Sequence, residues 1–122
     1  MSRSHFPELN AILFQLLAEL EGYESHIERL GREWPKRQEV VLFDEASNAM
    51  DRMRTLAVAI PQLSAQWVMV MISHTELMHN LWRMTKGAPL DVVTEVADHL
   101  ACVTSMAAKC RRLLVQERQV LH

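Results

Sequence analysis

At 122 residues, with 49% apolar and 23% charged residues and a formal net charge of −2, the chain has the length and composition of one globular domain, 1–122. Acids and bases are mixed along it without a basic stripe, which argues against nucleic acid as a partner, and three Gly with four Pro leave little room for turn-rich β structure. The longest uninterrupted apolar run, Trp67 to Ile72, falls far short of the ~20 residues that span a bilayer.

The N-terminal apolar stretch is interrupted by Asn10, Gln15 and Glu19, so it reads as an amphipathic helix and not as a signal peptide. Pro7 can open this helix, and its stripe is Leu9, Leu13, Leu16, Leu20, Tyr23, Ile27, Leu30 and Trp34. Gly31 and Pro35 separate it from a second stripe, Phe43, Ala46, Met50, Met53, Ala57 and Ile60, which Pro61 stops. Ser64 is a plausible cap for a third helix with the stripe Trp67, Met71, His74, Met78, Leu81 and Thr85. Lys86-Gly87 closes it, and Pro89 opens a fourth whose stripe is Val92, Val96, His99, Val103, Met106, Cys110, Leu113, Glu117 and Val120.

In every segment the steps alternate between four and three residues, which keeps one stripe on a bundle core. The pattern predicts an all-α, antiparallel, up-down-up-down four-helix bundle with short loops and helices near 7–32, 36–60, 64–86 and 89–120. Cys102 and Cys110 lie eight apart on one helix, ~12 Å, too far for a disulfide. Free thiols and the absence of an export signal point to the cytoplasm.

Some apolar residues fall off these stripes. Val68, Met69 and Ile72 lie on the far side of the third helix, Ile12 and Leu17 flank the first stripe, and Leu42 lies off the second. A lone bundle does not need them there. Leu42, Val68, Met69 and Ile72 are therefore the expected contact surface for a second copy or another protein. Eight methionines suit either an irregular core or an adaptable surface.

The chemistry concentrates in histidine. In the segment Ser73 to His79, His74 and His79 are five apart, about 140° around a helix, so they cannot share one ion. Glu76 and His79 share a face that Arg83 continues, but a single Glu-x-x-His copy does not build a di-iron centre, which needs two. His74 and His99 occupy stripe positions. Counted from the loop joining their helices, they lie within about one turn of each other. Tyr23 falls at the same height on the first helix, Asn48 near it on the second, and Glu95 is one turn from His99.

Such a polar layer has three possible meanings. It can be structural, with imidazoles and phenol hydrogen-bonding each other to fix register. It can hold a transition metal, with His74 and His99 as nitrogen ligands and Glu95 or Tyr23 as oxygen ligands. It can sense pH. Cys102, three residues from His99, could also approach it. A four-helix bundle can also carry one exposed phosphorylatable histidine with a cation one turn along, and His79 with Arg83 fits that description. In length and expected architecture the chain resembles histidine phosphotransfer domains, and that resemblance implies phosphorelay through His79. It departs from them just after the histidine, where Leu81-Trp82-Arg83 replaces their usual Lys and small residue.

The leading expectation is a non-enzymatic interaction or regulatory module acting through surface contacts as a homodimer, with no cofactor. The alternatives are a metal- or cofactor-binding bundle using His74 and His99, and a phosphotransfer-like protein using His79.

Overall fold

The computed structural model describes residues 5–121, with side-chain environments described over 8–115. Its helices are α1 His5–Glu33, α2 Val40–Ala57, α3 Ser64–Thr85 and α4 Val92–Leu121, with a 3-10 turn, Pro61–Leu63, ahead of α3. Connections are short, so successive helices run antiparallel. α1 packs between α2 and α4, and α3 closes the square against α4 and, less closely, α2. The result is the up-down-up-down bundle that the heptads predict. Among the described residues there is no strand.

The boundaries follow local chemistry. Residues 36–39 do not begin α2. The Lys36 and Arg37 N–H groups turn back to the Glu33 carbonyl at 2.9 and 2.8 Å, finishing α1, and Glu39 is extended (φ −91°, ψ 123°) before Val40. α2 ends at Ala57, before Ile60, because Ala59 and Ile60 donate three residues back, to Leu56 and Ala57, ahead of Pro61. Ser64 is the first residue of α3 and not its cap, and its hydroxyl donates to the Pro61 carbonyl at 2.8 Å. α3 closes in a Schellman motif: Gly87, at φ +89°, donates to Met84, and Ala88 donates to Arg83. Asp91 stands before α4. It accepts the Thr94 hydroxyl at 2.7 Å and the Thr94 amide at 3.2 Å, which together hold its carboxyl below the usual carboxylate range.

The α1 stripe is buried from Leu13 to Trp34 without a gap, which is why α1 touches two neighbours along its length. Gly31 lets α4 come close there, since a Cβ on it would stand 2.8 Å from Val96 Cγ2. The α2 stripe is buried as expected but is wider, adding Leu42 and Ala49. Leu42 is 4% exposed, so it belongs to the core and not to an outer contact surface. On α3 the buried set is Trp67, Val70, His74, Leu77 and Leu81, while Met71 and Met78 are only half-buried and Thr85 is exposed. On α4, His99, Val103, Met106 and Cys110 are buried, and Val92, Val96 and Leu113 are half-buried. The side chains of Glu117 and Val120 lie outside the described ones. One end of the bundle is closed by aromatic rings: Trp34 meets Phe43 at 4.4 Å and Trp82 at 5.5 Å between centroids. The Trp34 indole N–H also donates to the Leu81 carbonyl at 2.8 Å.

Candidate functional site

Near the middle of the bundle the core turns polar. The Tyr23 hydroxyl on α1 lies 2.6 Å from His74 Nδ1 on α3 and 2.5 Å from His99 Nε2 on α4. His99 Nδ1 is in turn 2.6 Å from Ser73 Oγ. Tyr23 is fully buried, His99 1% exposed and His74 9% exposed. The rings meet edge to face or tilted, with centroids 5.5 to 6.1 Å apart. Tyr23 Oη, Ser73 Oγ, both His99 nitrogens and His74 Nδ1 find partners inside this layer, as burial requires, while His74 Nε2 has none there.

The electrostatics follow from burial. Desolvation pushes both imidazoles down to about 4, and His99 is lowered further by His74 beside it. Burial pushes the Tyr23 phenol well above its ordinary range. All three groups are therefore neutral at neutral pH. Burial also pushes the Cys110 thiol up to about 11, which leaves it an inert core group.

Of the candidate ligands, the fold brings together His74, His99 and Tyr23 and leaves Glu95 out. Glu95 is half-buried beside α3 and accepts a hydrogen bond from Asn80 Nδ2 at 3.1 Å. Its one-turn offset from His99 turns it toward Asn80 and away from the layer. A tetrahedral ion about 2.0–2.1 Å from each ligand would hold the ligand atoms ~3.3 Å apart. The observed 2.5 and 2.6 Å are hydrogen-bond distances, and both His99 nitrogens and His74 Nδ1 are spent on the phenol and the serine. Among the described residues no group of three or more His, Cys, Asp or Glu side chains is placed to hold a metal. Asn48 is exposed and contributes nothing. Ser73 is the member that sequence reasoning missed. Its position beside His74, on the flank toward α4, was the available signal.

The other candidates sit on the surface. Glu76, His79 and Arg83 are all exposed, and none is in an ion pair among the described residues. Val68, Met69 and Ile72 are 45, 55 and 50% exposed on the outside of α3. Beside them a cleft between α3 and α4 is lined by Ala65, Gln66, Met69, Ala101, Cys102 and Ser105. Cys102 is a wall of that cleft and has no hydrogen bond to His99. No protein-family model matches the chain, and no significant match to a curated protein or a solved structure is found. No helix among the described residues is long and apolar enough to cross a membrane.

Proposed function

We propose that this protein is a non-catalytic helical-bundle interaction module that pairs with a second copy across the outer face of α3. The observation that carries the reading is the stripe Val68, Met69 and Ile72, about half exposed on a helix whose opposite side already supplies the core. A monomer gains nothing from three large apolar groups there. The stripe borders the α3/α4 cleft, so one patch carries both protruding side chains and a recess floored by Ala65 and Ala101. A two-fold interface requires that kind of self-complementarity. Toward its C-terminus the same side of α3 becomes Thr75, Glu76, His79 and Arg83, all exposed and suited to a polar rim.

Light scattering on the wild type beside a Met69→Glu, Ile72→Glu double variant tests this. The expected wild-type mass is twice the 14.1 kDa of one chain. The variant should fall to one chain at the same concentration, with its helical circular dichroism and urea midpoint unchanged. A variant that keeps the dimer mass would place the interface elsewhere and overturn the assignment to α3.

A further inference from the structure

The polar layer is one unbranched chain of hydrogen bonds: Ser73 Oγ to His99 Nδ1, His99 Nε2 to Tyr23 Oη, and Tyr23 Oη to His74 Nδ1. Counting its protons fixes more than the distances do. A neutral imidazole carries one N–H, so it donates from one nitrogen and accepts at the other. When Tyr23 donates to His74 Nδ1, it accepts from His99 Nε2–H, and the bare His99 Nδ1 accepts from Ser73. Both rings are then Nε2–H tautomers. When Tyr23 donates to His99 Nε2 instead, His99 Nδ1–H donates to Ser73 and His74 Nδ1–H donates to Tyr23. Both rings are then Nδ1–H tautomers. A mixed pair leaves either a bare nitrogen or the phenol hydrogen without a partner.

An added proton from solvent changes little. Protonated His99 donates to both Ser73 and Tyr23 while Tyr23 donates to His74. Protonated His74 donates to Tyr23, which donates to His99, which donates to Ser73. A second proton cannot be fitted. Both rings would donate to Tyr23, whose own hydrogen then has no acceptor, and two cations would stand with centroids 6.1 Å apart in the core. We propose that Ser73, His99, Tyr23 and His74 form a one-proton site, a relay that takes up a single proton with its hydrogen bonds intact and is broken by a second, releasing α3 from α1 and α4.

No other ionisable group enters the relay. Tyr23 faces it from α1, His74 from α3 and His99 from α4, while the buried residues of α2 are Leu, Phe, Ala and Met only. Of the half-buried carboxylates, Glu95 is engaged with Asn80, Glu19 with Arg52, Glu33 with Arg37, and Glu45 with His26 and Arg29, while Glu24, beside Tyr23 in sequence, makes no hydrogen bond to the relay. Both ends of the chain reach solvent, through half-buried Ser73 and through His74.

Long-range proton–nitrogen NMR of the 15N-labelled protein, from neutral pH down to about 3.5, reads the imidazole states directly. Amide exchange on the same sample reads the helices. The expected result is one tautomer shared by both rings at neutral pH, a first protonation that leaves α3 amides protected, and a second that exposes α3 before α1. Ser73→Ala should turn both rings to the Nε2–H form, because an unpaired acceptor is less costly than an unpaired buried N–H. Tyr23→Phe should free the two tautomers from each other, and if that variant does not fold, Ser73→Ala decides alone. A mixed tautomer pair in the wild type, loss of α3 protection at the first proton, or unchanged protection after the second would overturn the proposal.

Discussion

Two imidazoles and a phenol sit where aliphatic side chains would pack, and each is held by the others. Tyr23 is the only link joining His74 to His99, so removing its hydroxyl strands a nitrogen on both rings. Tyr23→Phe should cost roughly 1–3 kcal/mol, the penalty for buried polar groups left unpaired, measured as a shift in the urea midpoint. No shift would mean that the hydroxyl bonds carry no net stability. The pH dependence has a definite sign. Both folded imidazoles are held below the unfolded value of 6.5, at about 4, so the unfolded chain binds more protons between those limits. Their contribution to stability is complete above pH 6.5 and is lost as pH falls toward 4, at up to about 2.7 kcal/mol per pH unit for two protons. Replacing either histidine by Gln should halve that slope in acid-to-neutral denaturation curves. A flat profile would contradict the burial argument. Sequence spacing alone brought His74, His99 and Tyr23 to one height, because heptads fix rotation and short loops fix height. It misplaced Glu95, since a residue one turn from a core position can face either neighbour.

At the scale of single helices, α1 was legible throughout and α3 only in part. The α1 stripe runs unbroken from Leu9 to Trp34 with Ile12 and Leu17 as apolar flanks near one end, so one rotation buries it. α3 carries apolar residues on two faces, with Val70 and Leu77 on one flank of Trp67–His74–Leu81 and Met71 and Met78 on the other. Both stripes obey the heptad, and the sequence offers no means of choosing between them. The fold rotates α3 so that Val70 and Leu77 enter the core while the methionines stay at its margin. Stability measurements can check this rotation. Leu77→Ala should cost about 2–5 kcal/mol, and Met78→Ala less than half as much. The reverse order would restore the unrotated stripe. Leu42 was misjudged for a related reason. The small residues Ala46 and Ala49 let α2 lie close to its neighbours, which widens its buried strip enough to include a flanking leucine.

For the whole molecule, four antiparallel helices and one core account for most of the apolar sequence. Of the large apolar side chains left exposed, Val68, Met69 and Ile72 form a stripe on the outside of α3, while Phe14, Val40, Val41, Val58, Val93 and Val115 stand elsewhere on the surface. The α3 stripe, and not the histidine layer, is what the fold leaves unexplained in a monomer, because the buried hydroxyls, both His99 nitrogens and His74 Nδ1 are paired within the layer. The heptads alone specify the bundle, because alternating steps of four and three put one stripe of each helix on a shared core. The outer stripe on α3 was readable too, as Val68, Met69 and Ile72, but its neighbouring cleft was not. That cleft depends on α4 residues Ala101, Cys102 and Ser105 meeting α3 at one particular rotation. Sedimentation equilibrium of the wild-type chain over a wide dilution series reads pairing across α3 in solution. Self-association through α3 predicts a concentration-dependent mass that rises from one chain to two and stops there. A mass that stays at one chain at every concentration would contradict it.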